Sequence, residues 1–411
     1  MATQAVNPSR IFPLAAYWFG MGFTWSLLAT NLLPRDVAGM VGEADKGFRL
    51  GLIYTVAAVI SVLVPPIIGA YSDARGERHR VLGLGAGVVI LGLLVMMFAR
   101  SLSGYWLYFC GAMLVEFGSS AAHGAYAAVV PELVPREQQG RASAEITLLR
   151  LTGTIMGVLA GATVSDRTLK FILASSLVIV TVMVTINALR QTRNVRTFDL
   201  ELPSNPIGMY FLPAYRDFRL VFGSRFLVEL GKDALQPFLL YYLIDSVRRF
   251  EVGPLHLERP ETAQAVLLLC IVGMATISAF IGGRLADRVG RVRIAATGAL
   301  IQALAAIGFA LSRDYATTLG CGLVFGLGQG AFLAADWALV SAVLPSRSSF
   351  GRDMAVWHVS LVTTGLFDGV FGRLLDSTNR SSPGSGYNLL FVLSAVSLAS
   401  GAILTARVRS R

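Results

Sequence analysis

Charged residues are scarce in this sequence. Only 15% of its 411 residues are Asp, Glu, Lys or Arg, whereas 54% are hydrophobic. A soluble domain contains roughly 25% charged residues, which cover its surface. A soluble chain of this length would fold as about two or three domains with polar exteriors, and too few charges are present for that. The composition therefore predicts a protein whose outer surface faces lipid.

Cysteine and histidine are also rare, with three and four residues respectively. Cys110, Cys270 and Cys321 fall within apolar runs, so we interpret them as small hydrophobic residues and not as disulfide partners. No P-loop of the form G-x-x-x-x-G-K-[ST] occurs, and neither H-E-x-x-H nor H-x-x-x-D is present. We therefore expect no ATP-driven pump, no membrane-embedded enzyme, no metal site and no cofactor.

The N-terminal residues also lack the features of a removable leader. Few basic residues and no A-x-A cleavage site precede the first apolar run, so no signal peptide is expected. A transporter-like sensor, which binds without transport, would usually carry an additional signalling domain. The linker and tails in this sequence are too short for one.

The formal net charge of +10 raises the possibility of nucleic-acid binding, which the distribution of charge argues against. Basic residues occur singly in short loops between apolar runs and form no continuous stripe. This is the pattern of a membrane protein with positively charged cytoplasmic loops. The loops on one side, together with the C-terminal arginines, are the richer in arginine. We expect that side to be the cytoplasm and both termini to lie there, in a cell (inner or plasma) membrane.

Long apolar runs dominate the sequence. A helix needs roughly 20 apolar residues to cross a bilayer, and the runs here are of that length without the alternation of barrel strands. We predict an all-α membrane protein with twelve spans, at residues 11–33, 49–72, 81–99, 104–130, 142–164, 169–190, 217–244, 263–286, 292–312, 315–344, 352–374 and 387–407.

A polar stretch divides the predicted spans into two sets of six. It is the longest run of polar residues between two spans and lies at the midpoint of the chain. We predict an N-terminal six-helix half at residues 1–190, a cytoplasmic linker at 191–216 and a C-terminal six-helix half at 217–411.

The two predicted halves share sequence. In "GAYSDARGERHR" (69–80) and "GGRLADRVGRVR" (282–293), Gly69, Asp73 and Gly76 align with Gly283, Asp287 and Gly290 at an offset of 214 positions. Each stretch follows the second span of its half. A second pair of loops, after spans 4 and 10, ends in Gly140-Arg141 and Gly351-Arg352. Two matched loops at matched places indicate an internal duplication, as in many secondary transporters.

The repeated G-x-x-x-D-x-x-G loop, followed by Arg78 in the first copy and by Arg291 in the second, resembles the signature loop of the major facilitator superfamily. The second copy fits the signature well, whereas in the first Ala74 stands where Arg is common and Arg75 follows one place later. The resemblance covers the whole chain and implies two pseudo-symmetric six-helix halves. "GQGAFLAADWALV" (328–340) and "GRDMAVW" (351–357) are similar to bacterial members near the sucrose and glycoside cation symporters.

The resemblance also implies a role for the loops in gating. Asp73 would dock near Arg352 at the start of span 11, and Asp287 near Ser143 at the start of span 5, because helix N-termini attract anions. Alternatively, these residues are solvated charges that only fix topology. The gating candidates are Gly69, Asp73, Gly76, Arg78, Arg141, Gly283, Asp287, Arg288, Gly290, Arg291 and Arg352.

Ionisable residues within spans are costly, so they are candidates for substrate or coupling-ion binding. On span 7 they are Arg225, Glu229, Lys232 and Asp233, followed by Gln236. Glu229 or Asp233 could bind the coupling ion, and Lys232 or Arg225 an anionic or hydroxylated substrate. The alternative is a neutral ion-pair cluster that only holds span 7 against a neighbour.

Three further ionisable residues lie within other spans. Glu116, on span 4, could carry a proton or form a permanent pair with Arg150 or Arg225. Arg150, on span 5, needs a carboxylate partner such as Glu116 or Glu145, or a place in the cavity. Asp336, on span 10, is a cavity candidate or a partner for the arginines of the 8–9 loop.

Several other side chains near these positions are interpreted as packing residues first. His123 lies two turns beyond Glu116 and is more often a hydrogen-bonded packing residue than a site residue. Tyr17 and Trp18, on the aromatic span 1, could stack on a substrate ring, but such residues more often pack between helices. Asp368, on span 11, is a weaker cavity candidate than Asp336.

These observations favour a secondary active transporter that works by alternating access and is no enzyme. We expect symport of a sugar or glycoside with protons, on the family resemblance and the polar span 7. The alternative is a proton-coupled exporter of drug-like or amphipathic compounds. An isolated carboxylate such as that of Glu116 would suit such an exporter. The expected partners are a small-molecule substrate, H⁺ and the lipid bilayer, with no nucleic acid, and the protein is expected to be a monomer.

Overall fold

The computed structural model describes residues 11–75, 78–102, 104–126, 129, 134, 136–190, 215–343 and 350–409. By its internal contacts the chain forms two compact units: unit 1 comprises Met1–Glu43 and Val56–Leu200, and unit 2 comprises Ala44–Thr55 and Glu201–Arg411. The linker predicted at 191–216 falls almost entirely outside the described residues.

Helices account for almost all of the described part of unit 1. The first helix continues through a π-helical turn into the second, which ends at Gly42. The helices, with the start of α3 belonging to unit 2, are α1 (Ile11–Leu27), the π-helical turn Leu28–Leu32, α2 (Leu33–Val41), α3 (Lys46–Arg75), α4 (Arg78–Ala99), α5 (Tyr105–Tyr126), α6 (Arg136–Thr163) and α7 (Arg167–Arg190).

The helices of unit 2 are interrupted more often. They are α8 (Arg216–Asp233), the 3₁₀ turn Gln236–Phe238, α9 (Leu239–Tyr242), the π-helical turn Leu243–Val247, α10 (Pro260–Val289), α11 (Arg291–Leu311), α12 (Tyr315–Val343), α13 (Phe350–Val362), the 3₁₀ turn Thr363–Phe367, α14 (Asp368–Ser381) and α15 (Ser385–Ala406). A hairpin not anticipated from the sequence, β1 (Phe250–Val252) with β2 (Leu255–Leu257), lies between α9 and α10.

Eight of the described helices are long and apolar enough to cross a membrane: α3, α4, α6, α7, α10, α11, α12 and α15. Helices suit lipid because every backbone N–H and C=O group is bonded within the segment. Large apolar side chains such as Leu84, Phe280 and Leu304 stand exposed on their outer faces. The other four predicted spans coincide with α1–α2, α5, α8–α9 and α13–α14, and the count of twelve membrane crossings stays a prediction.

Within each unit, facing glycines bring two helices close together, and the two helix pairs are equivalent. A Cβ atom at Gly85 of α4 would lie 2.7 Å from the carbonyl oxygen of Gly118 on α5. In unit 2, a Cβ atom at Gly298 of α11 would lie 2.7 Å from the carbonyl oxygen of Gly328 on α12. Small residues allow such backbone contact in membrane helices. This packing fixes α5 and α12, the two helices that carry Glu116 and Asp336.

The beginning of α3 is tied to α14 within unit 2. The carboxylate of Asp376 accepts hydrogen bonds from the backbone N–H groups of Gly47 (3.0 Å) and Phe48 (2.7 Å). These N–H groups are in the first turn of α3 and have no partner inside the helix. A carboxylate from another helix therefore caps α3.

Candidate functional site

Glu116 lies on α5 of unit 1 and is 6% exposed. Its Oε1 atom accepts hydrogen bonds from the hydroxyl groups of Ser61 on α3 (2.5 Å) and Ser120 on α5 (2.8 Å). Within the described residues, no basic side chain is within ion-pair distance of this carboxyl group. The pair of Glu116 with Arg150 considered from the sequence is not formed; two hydroxyl groups take its place.

Aromatic residues pack in the same unit, where α1 meets α5. The hydroxyl of Tyr17 donates to the carbonyl oxygen of Ser119 (3.3 Å), and that of Tyr126 donates to the carbonyl oxygen of Leu14 (2.8 Å). The rings of Tyr17 and Tyr126 stack with centroids 5.1 Å apart. These contacts join α1 to α5 and hold the intervening ring of Trp18.

Arg150 of α6 lies beside this aromatic group. Its guanidinium carbon is 5.8 Å from the centroid of the Trp18 ring, and its side chain is exposed. On another side of Trp18, the His123 ring is edge-on, with centroids 5.0 Å apart and an interplanar angle of 87°. The surface beside Trp18 therefore combines a cation with aromatic side chains.

In unit 2, two buried charges on α8 and α12 bind each other. Arg225 on α8 forms an ion pair with Asp336 on α12, and both side chains are buried. The guanidinium carbon of Arg225 also lies 3.8 Å from the centroid of the Trp357 ring. Asp336 therefore pairs with Arg225 and not with the arginines between spans 8 and 9.

The remaining polar groups of α8 are also engaged. Lys232 donates to Glu229 at 2.5 Å, one turn away on the same helix, and the hydroxyl of Thr364 donates to Asp233. Gln236 begins the 3₁₀ turn after α8 and is exposed. Asp368, at the start of α14, is buried, and its Oδ1 atom has no hydrogen-bond partner in the described structure. Two ion pairs thus neutralise four charges of unit 2.

The loop residues predicted to gate the transporter are only partly described. Gly76 and the side chains of Asp73, Arg141 and Arg352 lie outside the described residues. Asp287, Arg288 and Arg291 are exposed, and Gly290 joins α10 to α11 with a φ of 106°, which side-chain-bearing residues rarely adopt. Gly69 packs against α5: a Cβ atom there would lie 3.3 Å from the carbonyl oxygen of Gly124, whereas one at Gly283 would meet open space.

The arginines that begin α4 and α11, one after each loop, make similar contacts. Arg78 Nη1 donates to the carbonyl oxygen of Ala125 on α5 (3.2 Å), and Arg291 Nη1 donates to that of Ala338 on α12 (3.1 Å). Each arginine thus binds the helix that carries the buried carboxylate of its own unit. The sequence repeat predicted that the two loops are similar. It did not predict that backbone carbonyl oxygens accept these hydrogen bonds, because every residue type has a carbonyl group.

Sequence reasoning missed the two serines that bind Glu116. Ser120 lies four residues beyond Glu116 on one helix face, a spacing that could have indicated the contact. Ser61 is 55 positions away on another helix and gives no such signal. Among the described residues, no group of three His, Cys, Asp or Glu side chains could hold a metal ion.

Comparisons with known proteins agree on the family. The family model of the Major Facilitator Superfamily matches residues 14–244, which is more than half of the chain. The multi-drug resistance efflux pump PmrA of Streptococcus pneumoniae is 25% identical over 396 residues, which cover 93% of this chain and 92% of the pump. Sugar efflux transporter A of Dickeya chrysanthemi is 35% identical over 77 residues, 18% of this chain and 19% of that transporter.

Solved structures support the same fold. The crystal structure of a mutant of the peptide transporter POT in complex with alafosfalin superimposes with a TM-score of 0.77 at 14% sequence identity, covering 100% of this chain and 97% of that chain. At that identity the likeness concerns the fold alone. Together with the family match and the predominantly helical fold, it identifies a multi-pass membrane protein. The chain belongs to the major facilitator superfamily of secondary transporters.

Proposed function

We propose that this transporter exports amphipathic, drug-like compounds in exchange for protons, and that Glu116 carries the coupling proton. The observation that carries the proposal is the isolation of Glu116. Its carboxyl group is buried and bound by two hydroxyl groups, with no basic partner in the described part of unit 1. Hydroxyl groups can hydrogen-bond a carboxyl group whether or not it holds a proton.

The charges of unit 2 suit this proposal better than sugar symport. The sequence favours symport partly because span 7 is polar and could offer charged groups to a hydroxylated substrate. In the structure Arg225 is paired with Asp336, and Lys232 with Glu229. Freeing either pair for a substrate would leave a charge uncompensated, at a cost of about 3–5 kcal/mol when buried.

The relatives support export as the direction. The names of PmrA and of sugar efflux transporter A both describe efflux, and the match to PmrA extends over nearly the whole chain. We further propose alternating access by a monomer in the cell (inner or plasma) membrane, with both termini in the cytoplasm. The arginine-rich loops support that orientation.

Proteoliposomes with imposed pH gradients would test the proposal. An acidic interior should drive uptake of an antiport substrate, whereas an acidic exterior should drive uptake of a symport substrate. The probes are ethidium, a naphthalenesulfonate dye, radiolabelled sucrose and a radiolabelled glucoside. We expect an acidic interior to drive uptake of at least one amphipathic probe by the wild type.

Substitution of the proposed proton carrier completes the test. Glu116→Gln keeps the size of the side chain and its capacity for hydrogen bonding, and should abolish gradient-driven uptake. Glu258→Gln, at an exposed carboxylate between β2 and α10, is the matched control and should transport normally. Uptake by the Glu116→Gln variant at the wild-type rate would remove Glu116 from the mechanism.

A second candidate function remains sugar transport. The similarity to sugar efflux transporter A over 77 residues favours it. Accumulation of sucrose or the glucoside, with neither amphipathic probe moved, would make a sugar the substrate. If an acidic exterior drives that accumulation, symport would also replace export.

A further inference from the structure

Arg150 is a cation at membrane depth that the proposed proton exchange does not use. It lies eight residues, or about 12 Å, beyond the start of the apolar stretch Ala142–Thr163 of α6. In the described structure, no carboxylate lies within ion-pair distance of its guanidinium group. Ionisable groups at such depth face a partner or a water-filled cavity. An exposed guanidinium group without an acidic partner is therefore available to an anion.

The neighbouring surface is an aromatic platform. The Trp18 ring lies 5.8 Å from the Arg150 guanidinium carbon and meets the His123 ring edge-on. Tyr126 also meets Trp18 edge-on, with centroids 5.8 Å apart, and Tyr126 is itself hydrogen-bonded to α1. The indole ring is therefore held in place, and an offset or edge-on contact with a planar ligand ring would add the attraction of an aromatic pair.

Glu116 cannot serve as the group that selects the charge of the ligand at this surface. It is 6% exposed, and Ser61 and Ser120 occupy its Oε1 atom. It also lies seven residues, or about 10 Å along α5, from His123. The charge that a ligand would meet at Trp18 is thus the positive charge of Arg150.

We propose that Trp18 and Arg150 form a binding site for the anionic aromatic end of the exported compound, a planar ring that carries a sulfonate or carboxylate group. The ring stacks beside Trp18, and the anionic oxygens accept hydrogen bonds from the Arg150 guanidinium group. Arginine binds such groups through a planar, two-point contact. This site rests on the proposed export function, because it names the class of compound that the transporter moves.

The test compares three ligands that share one ring and differ in charge. They are naphthalenesulfonate (anionic), naphthalenesulfonamide (neutral) and trimethyl(naphthyl)ammonium (cationic). Isothermal titration calorimetry on the full chain in lipid nanodiscs would give a Kd for each. We expect the anion to bind at least about tenfold more tightly than the neutral amide, the difference that one charge-assisted hydrogen bond can supply.

Variants separate the charge from the ring. Arg150→Gln should bring the Kd ratio of amide to anion close to one, and Arg150→Lys should keep part of the preference. Trp18→Leu should raise the Kd of all three ligands and leave the ratio of amide to anion unchanged. Arg313→Gln, at an exposed arginine between α11 and α12, is the control and should retain the wild-type ratio.

Two outcomes would overturn the site. One is a wild type that binds the amide or the cation as tightly as the anion. The other is an anion preference that survives in Arg150→Gln. Binding is measured without a proton gradient, so the result is independent of coupling. An anion preference in a protein that fails the gradient assay would retain this site and reject proton-coupled export.

Discussion

Glu116 on α5 and Asp336 on α12 are buried carboxylates on equivalent helices of the two units. Facing glycines pack each helix against its neighbour, and an arginine from the equivalent loop binds each. Their partners differ, because Ser61 and Ser120 bind Glu116 whereas Arg225 binds Asp336. The two units thus share this scaffold, whereas the chemistry of their two carboxylates differs.

The comparison indicates which buried charge is available for exchange. A carboxyl group with hydroxyl partners can gain or lose a proton without stranding an opposite charge. A carboxylate paired with a buried arginine cannot, because protonation would leave the guanidinium group uncompensated. In the proposed exchange, the pair in unit 2 therefore has a structural role, and Glu116 of unit 1 carries the proton.

Removal of Arg225 should have the largest effect on stability. Arg225→Met leaves Asp336 buried without its cation, and the expected cost is about 3–5 kcal/mol of unfolding free energy. The thermal midpoint of detergent-solubilised protein, followed by fluorescence-detected gel filtration, would measure it. The double variant with Asp336→Asn should recover much of the loss, because no charge is then stranded. An Arg225→Met variant as stable as Glu116→Gln would contradict the structural role.

The two π-helical turns offer the next comparison. In unit 1, Asn31 accepts a hydrogen bond from Lys170 Nζ at 2.6 Å; in unit 2, Asp245 forms an ion pair with Lys46 at 2.7 Å and accepts a hydrogen bond from Tyr387. Asp245→Asn should cost about 2 kcal/mol, less than a fully buried pair because Asp245 is partly exposed.

The reciprocal variant would sharpen this result. Asn31→Asp gives Lys170 a charged acceptor, and the Asn31 Nδ2 atom that it removes has no hydrogen-bond partner in the described structure. It should stabilise the protein by about 1 kcal/mol, the difference between a charged and a neutral hydrogen bond. Thermal midpoints measured under identical conditions would compare the two. A destabilised Asn31→Asp would show that the cost of burying its carboxylate exceeds the attraction.

The helices of the second predicted span in each half, α3 and α10, begin with different caps. The carboxylate of Asp376 caps α3, whereas α10 begins with Pro260, which lacks an N–H group to satisfy. Asp376→Asn should lower the unfolding free energy by about 1 kcal/mol, because one acceptor and the charge at the helix N-terminus are lost. Hydrogen exchange should increase at the amides of Gly47 and Phe48. Unchanged exchange at these two amides would show that Asp376 does not cap α3.

Periodicity and repeats predicted the helical membrane fold, because lipid imposes long apolar runs and a duplication leaves matched loops. The same logic identified Glu116 and Asp336 as buried carboxylates. The partners of these two carboxylates could not be predicted from the sequence. Ser61 and Arg225 come from helices distant in sequence, and many different pairings would neutralise the same charges. The β1–β2 hairpin was also missed, since each strand has only three residues.

The smallest expected effect concerns two helix caps outside the apolar cores. Asp314 precedes α12, and its carboxylate accepts hydrogen bonds from the backbone N–H (2.8 Å) and the hydroxyl (2.7 Å) of Thr317. Asp166 precedes α7 and accepts one from the backbone N–H of Leu169 at 2.7 Å. The second bond from Thr317 predicts that Asp314→Asn lowers the thermal midpoint at neutral pH more than Asp166→Asn does.

Acidic pH should remove the difference in thermal midpoint between Asp314→Asn and the wild type. The backbone N–H and then the hydroxyl of Thr317 lower the pKa of Asp314 in the folded protein. The folded state therefore binds this proton less readily than the unfolded state, and ionised Asp314 stabilises the fold above the unfolded pKa. That contribution falls as the pH drops through the unfolded and then the lowered folded pKa. Thermal midpoints measured from neutral to acidic pH should converge for the two proteins, and a gap that widens in acid would show that the carboxylate does not stabilise α12.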